Sequence, residues 1–252
     1  MKVTILGSGT VVPSGTRNSA GYFVELPGAR VMMDCGSGTV HALARYGLPW
    51  DLMTHVFISH FHVDHVGELA ALLYAFRYGM KSQRTEPLTI VGPPGLHRVL
   101  DGFKMAFGSS LLEAPFPITV QTINPGDKIE FGPGATMSVM KTPHTRESLA
   151  ARIESGGRVL CYTGDTAYDD ALAPFFDKAS ILISECSFRG PREDARHLSI
   201  AEAAKIASQA RVSKLIVTHF YFDVDEVALQ HELQSGYEGE VIMGRDGLSI
   251  EV

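Results

Sequence analysis

The sequence predicts a mixed α/β protein whose sheets are covered by helices on their outer faces. Three observations lead there. Short apolar runs, many bounded by glycine or proline, recur along the whole chain. Those of the first third follow one another as hairpin-linked strands do, with no long helical stretch between them. Later runs alternate with segments of helical spacing, the pattern of helices laid over a sheet.

Residues 3–6, 22–26 and 30–33 read as the opening strands, and 39–46 is the first segment with helical spacing. A strand over 55–58 leads toward a helix over 68–78, and one over 88–91 toward a helix over 95–106. The stretch 108–127 carries Pro115, Pro117 and Pro125 and reads as the join between two halves. Beyond it, 137–140, 158–162, 181–184 and 215–218 have strand character. Helices are expected over 200–210 and 225–234, the former opened by a capping box of Ser199 with Glu202. No short repeat is visible, so the whole span 1–252 reads as one two-part domain.

Hydrophobic residues at 45% and charged residues at 20% describe an ordinary globular protein. The formal charge of −6 argues against a surface built to grip a long nucleic-acid backbone, where a basic face is expected. Cys35, Cys161 and Cys186 are far apart and form no paired motif, so they read as small buried thiols of a cytoplasmic protein. The opening MKVTILGSGT reads as a first strand, not a secretory leader, and no apolar run is long enough for a membrane span.

The chemistry concentrates in His60-Phe61-His62-Val63-Asp64-His65, on a turn between strand and helix. In extended chain, residues two apart project to the same side, so His60 and His62 aim together. Asp64 and His65 diverge from that pair and suit a second ion. Imidazole with carboxylate matches zinc, manganese or iron better than calcium or magnesium. Four ligands cannot fill two coordination spheres, and three further candidates stand at strand ends: His144 after 137–140, Asp165 after 158–162 and His219 after 215–218. Each alone is read most simply as a hydrogen-bonded core or surface residue; beside the clustered motif they read as ligands.

This series of HxHxDH followed by single His, Asp and His resembles the metallo-β-lactamase superfamily, which implies an αββα sandwich of two mixed sheets flanked by helices. The resemblance implies that His60, His62 and His144 hold one divalent ion, most simply zinc, and Asp64, His65 and His219 a second. Asp165 would bridge the two, beside a shared hydroxide. Leu6-Gly7-Ser8-Gly9-Thr10-Val11-Val12-Pro13 with Arg17-Asn18 resembles the first motif of the ribonuclease Z group. Asp34-Cys35-Gly36-Ser37-Gly38-Thr39 is similar to that group's DCGEGT, with Ser37 in place of the acidic residue. Glu185 and His197 look like its glutamate–histidine pair; without the resemblance they read as a surface ion-pair partner and a helix cap.

The resemblance implies a metal-dependent hydrolase attacking a phosphodiester with a metal-bound hydroxide, oriented by Asp64, while His197 held by Glu185 protonates the leaving oxygen. Members of the ribonuclease Z group that process tRNA 3′ ends generally carry an extended arm, in many of them between the single histidine and the aspartate. Here only 145–164 lies between them, enough for one hairpin. Phe220-Tyr221-Phe222 also stands where the group has serine, arginine and tyrosine. The substrate expected is therefore a small-molecule or nucleotide phosphodiester. Carboxyl ester, lactone or sulfate ester hydrolysis, tRNA processing, and metal retention without turnover are the alternatives. The fold's usual self-association makes a homodimer an expectation. Arg17 reads as a phosphate contact or a solvated charge, and Phe220-Tyr221-Phe222 as a site wall or core.

Overall fold

The computed structural model describes residues 1–79, 84–190 and 196–252. The first half runs β1 (Lys2–Gly7), β2 (Gly21–Leu26), β3 (Ala29–Met33), α1 (Thr39–Arg45), β4 (His55–Phe57), α2 (Val63–Val66), α3 (Leu69–Tyr78), β5 (Leu88–Gly92), α4 (Leu96–Phe107) and β6 (Ile118–Thr122). The second runs β7 (Lys128–Glu130), β8 (Ala135–Lys141), β9 (Leu149–Ser155), β10 (Arg158–Tyr162), α5 (Leu172–Phe175), β11 (Ile181–Glu185), α6 (Ile200–Gln209), β12 (Lys214–Thr218), α7 (Glu226–Gln234), β13 (Glu240–Met243) and β14 (Ser249–Glu251).

Two seven-stranded sheets result, in the orders β14-β1-β2-β3-β4-β5-β6 and β13-β12-β11-β10-β9-β8-β7. Both are mixed: β1–β3 pair antiparallel and β3–β6 parallel, while β7–β10 pair antiparallel and β10–β13 parallel. The chain passes between the sheets after β6, and β14 returns to pair with β1.

The period-2 alternation of each strand assigns its side chains to layers. Val31 and Met33 of β3, Ile181 and Ile183 of β11 and Ile216 of β12 enter the core between the sheets. Met32 faces the helices of the first half, and Leu182, Leu215 and Val217 those of the second. Strands central to both sheets are apolar on both faces because both faces are covered. The architecture is the αββα sandwich. A hairpin fills the interval between His144 and Asp165: β9 and β10 meet at Gly156 and Gly157, both at positive φ, which a two-residue turn of matching twist requires. Ser199 and Glu202 form the expected capping box on α6.

Cys35, Cys161 and Cys186 are buried free thiols. Among the described residues, no helix is long and apolar enough to cross a membrane.

Candidate metal centre

The ligand candidates of the sequence converge at one edge of the sandwich, where loops leaving both sheets meet. His60 and His62 lie on the β4–α2 loop, and Asp64 and His65 in α2. The other sheet supplies His144 from the β8–β9 loop, Asp165 after β10 and His219 after β12. His60 Nε2 and His144 Nε2 each lie 3.1 Å from His62 Nδ1. His219 Nε2 is 3.4 Å from Asp64 Oδ2, and His65 Nε2 is 3.9 Å from the same oxygen.

Asp165 stands between these two groups and divides its oxygens between them. Oδ2 lies 3.7 Å from His60 Nε2 and 3.6 Å from His144 Nε2. Oδ1 lies 3.3 Å from His65 Nε2 and 3.6 Å from His219 Nε2. Burial works against its charge, but His219 and His65 outweigh it and hold the carboxyl well below the usual carboxylate range.

A ring of partners behind the histidines sets which nitrogen of each carries the proton. Asp34, fully buried at the end of β3, accepts 2.7 Å hydrogen bonds from His65 Nδ1, Tyr162 OH, Ser59 Oγ and Ser59 N. Because Ser59 Oγ spends its proton on Asp34, it accepts from His60 Nδ1 at 3.0 Å. His144 Nδ1 donates to the carbonyl of Arg196 at 2.7 Å. Ser187 Oγ donates to Glu185 Oε2 at 2.6 Å and so accepts from His219 Nδ1 at 3.0 Å. The protons of His60, His65, His144 and His219 therefore all sit on Nδ1, leaving four bare Nε2 lone pairs aimed inward.

Those lone pairs ask for a cation. A proton on His62 Nδ1 can satisfy only one of the two nitrogens 3.1 Å from it. His65 Nε2 is buried and makes no well-aligned hydrogen bond, facing Asp165 Oδ1 at 3.3 Å, an arrangement of two acceptors that is costly unless a positive charge meets it. Burial would keep His65 neutral, yet Asp165 and Asp34 raise its pKa well above the ordinary value, so the surroundings favour a positive charge at Nε2, a proton where no ion is bound. His144 is pushed the other way, to about 4, chiefly by burial, which keeps it in the neutral form that binds metal. Two clusters of ring nitrogens and carboxylates, His60–His62–His144–Asp165 and Asp64–His65–His219, could each hold an ion. Imidazole and carboxylate without thiolate suit a divalent transition ion.

Glu185 and His197 come together beside this cluster. His197 Nδ1 is 3.0 Å from Glu185 Oε2, and Glu185 is 1% exposed, so it is no surface ion-pair partner. Its oxygens also accept from the backbone N–H groups of Thr166 and Leu198. The His197 ring lies 4.7 Å from that of His144 and 5.5 Å from that of His219, facing the cluster from the second sheet. Ser199, not His197, caps α6.

The opening motif braces the site. Ser8 carbonyl accepts from the N–H of His219, which sits at positive φ. A Cβ on Gly36 would lie 2.0 Å from the carbonyl oxygen of Asp64, so only glycine lets the Asp34–Gly38 turn pass under the ligand loop. Arg17 is engaged structurally: its guanidinium donates to Ser8 Oγ and Gly244 carbonyl and lies over the Phe220 ring. Phe220 is buried, whereas Tyr221 is partly exposed, with its ring 5.7 Å from that of His197. A cavity of about 370 Å³, lined by Val11, Val12, Ser37, Val63 and Asp64 among others, opens beside Asp64.

The family model described as "Beta-lactamase superfamily domain" matches residues 29–220, most of the chain and all seven candidate ligands. The chain belongs to the metallo-β-lactamase superfamily. Within that superfamily it is 29% identical to the "Probable metallo-hydrolase YhfI" of Bacillus subtilis (strain 168), over 98% of both chains. The crystal structure of the metallo-β-lactamase fold protein YhfI superposes with a TM-score of 0.85 at 27% identity, covering 100% of this chain and 99% of that one. Ribonuclease Z of Halorubrum lacusprofundi is 25% identical across 100% of this chain and 97% of its own length. Human tRNase Z, short form, shares the superfamily fold with a TM-score of 0.81 at 24% identity, covering 100% of this chain and 99% of that one.

Asp34 entered the sequence reading only as part of a motif, and Ser59, Tyr162, Ser187 and the Arg196 carbonyl did not enter it at all. Asp34, Tyr162, Ser187 and Arg196 act on residues distant in the chain, and Ser59, although next to His60, is set by Asp34 25 positions away. A buried aspartate at a strand end, opening a glycine-rich turn, was the one available signal.

Proposed function

We propose that the chain is a single-domain hydrolase with a binuclear centre, most simply zinc, acting as a phosphodiesterase on a small-molecule or nucleotide substrate. The observation that carries the reading is the division of Asp165 between two inward-facing groups of ligands. In this reading His60, His62 and His144 hold one ion, Asp64, His65 and His219 the other, and Asp165 bridges them. When bound, the ions would polarise a phosphoryl oxygen and acidify the attacking water.

The protein's own groups do the rest. Asp64 orients the water or accepts its proton. Asp34, Ser59, Ser187 and the Arg196 carbonyl keep the ligating nitrogens bare and aimed. Glu185 holds His197 by Nδ1, leaving Nε2 to protonate the leaving oxygen. Burial lowers the pKa of His197, but the hydrogen bond and charge of Glu185 outweigh it, so the imidazolium persists above its ordinary range. Tyr221 supplies an apolar wall at that side.

The ribonuclease Z relatives favour RNA as a second reading. Against it, the match to the Halorubrum enzyme runs over 308 aligned positions, more than the 252 residues here, whereas the match to YhfI runs over 254. That difference supports a compact enzyme without a tRNA-gripping insertion.

The test is hydrolysis of bis(p-nitrophenyl) phosphate by protein whose metal content is measured by mass spectrometry. Turnover that is restored by zinc or manganese and abolished by chelator is expected. Silence in protein holding two ions would remove the phosphodiesterase reading and point to carboxyl, lactone or sulfate esters.

A further inference from the structure

A second cavity, of about 420 Å³, is lined by Pro94, Arg98, Lys141, Arg146 and Glu147 among others, so its wall includes residues on either side of His144 in the chain. It shares the β8–β9 loop that carries His144. Lys141 and Arg146 bracket His144, and Phe61, between His60 and His62, lies against Gly95 at the start of α4, where an added Cβ would come within 3.1 Å of its ring.

Three cations and one carboxylate line this cavity in a chain whose net charge is −6. Neither the Arg98 nor the Arg146 guanidinium forms an ion pair or hydrogen bond among the described residues. The Lys141 ammonium is held in place by the carbonyls of Thr142 and Thr145, each at 2.5 Å, with Glu147 attracting it from beyond ion-pair distance. The N-terminus of the twelve-residue α4, capped by no side chain, opens on the same cavity and adds its partial positive charge. Charges left unpaired beside a reaction centre are placed for a ligand, and two guanidinium forks with an ammonium suit phosphate oxygens.

We propose that this cavity binds a terminal phosphate of the substrate, so that the substrate carries a phosphomonoester besides the ester that is cleaved. The proposal rests on the phosphodiesterase reading of the centre. The net of two positive charges matches a phosphate dianion, not the single charge of an internal phosphodiester.

The test compares deoxythymidine 5′-(p-nitrophenyl phosphate) with the same ester bearing a 3′-phosphate, in zinc-loaded enzyme. The 3′-phosphate is expected to raise kcat/KM by about tenfold or more, and R98A/R146A to bring the ratio close to one. R98K/R146K, which keeps the charge, retains part of the ratio. Equal kcat/KM for the two esters in the unaltered enzyme, an unchanged ratio in R98A/R146A, or an equal gain from a 3′-linked internal phosphodiester would overturn the proposal. Calorimetric titration with inorganic phosphate needs no turnover: R98A/R146A should lose binding by about tenfold, and identical isotherms would also overturn it. If neither ester is cleaved, the phosphodiesterase reading fails while the titration still decides the subsite.

Discussion

Asp34→Asn changes one atom of the acceptor that orients His65, and its consequence follows from the hydrogen-bond count. Asp34 Oδ2 accepts from His65 Nδ1, Tyr162 OH and Ser59 Oγ, all at 2.7 Å, while Oδ1 accepts from Ser59 N. With the amide oxygen kept on Ser59 N, the new NH₂ faces three donors. The two hydroxyls can turn and accept. His65 can accept only by moving its proton from Nδ1 to Nε2, the buried nitrogen that faces Asp165 Oδ1 at 3.3 Å. The variant thus occupies with a proton the lone pair that an ion would use. Loss of such an orienting partner costs roughly 10–100-fold in metal affinity, or about 1.4–2.8 kcal/mol. The loss should fall first on the Asp64–His65–His219 group and more weakly on His60, whose Nδ1 faces the Ser59 hydroxyl that turns, so competition against a chromophoric chelator should show the two ions weakened unequally. Tyr162→Phe removes one donor and leaves the carboxylate intact, so its effect should stay near 1 kcal/mol. An Asp34→Asn protein that holds two ions with unaltered affinity would refute the tautomer argument, and equal weakening of both ions would reduce Asp34 to a packing residue.

Asp165→Ala removes the side chain common to both groups and should lower metal occupancy and abolish turnover; two ions retained with full activity would sink the bridging assignment. His197→Ala should keep both ions but slow esters with poor leaving groups by about 10²–10⁴-fold, with far less effect on nitrophenolate. Equal losses would count against a general acid. Glu185→Gln tests the pH sign. Glu185 raises the pKa of His197 against the effect of burial, so its charge extends the acid form to higher pH. In the variant the alkaline limb of kcat/KM should move to lower pH, and a limb that stays in place would remove the coupling.

The sequence exposed those parts of the molecule whose chemistry is local. HxHxDH is legible because four ligands crowd six residues, and His144, Asp165 and His219 because each ends a strongly apolar strand. The edge strands were not. In β6 the pattern Ile118-Thr119-Val120-Gln121-Thr122 is largely exposed, and β7, β13 and β14 are three or four residues long. Such short, half-polar segments are strands only because a neighbour pairs with them. In β9, Leu149-Ala150-Ala151-Arg152 carries helix formers, and pairing between β8 and β10 overrides that propensity. The partners behind the ligands were hidden for a related reason: Tyr162 reaches Asp34 from 128 positions away, a relation that exists only once the sheets have stacked.

The split of the ligands between the two sheets also orders events in the making of the protein. Asp64 and His219 are 155 positions apart, so at about 5–20 residues per second the ribosome delivers the first roughly 8–30 s before the second. Until His144 emerges, 80 positions after Asp64 and roughly 4–16 s later at that rate, the chain displays three imidazoles and a carboxylate with nothing from the other sheet to complete them. On the two-ion reading, an ion present at that stage would meet an open half-site first and would be the template on which His144, Asp165 and His219 later close. On that reading, the choice of metal would begin on the ribosome, before the second sheet exists.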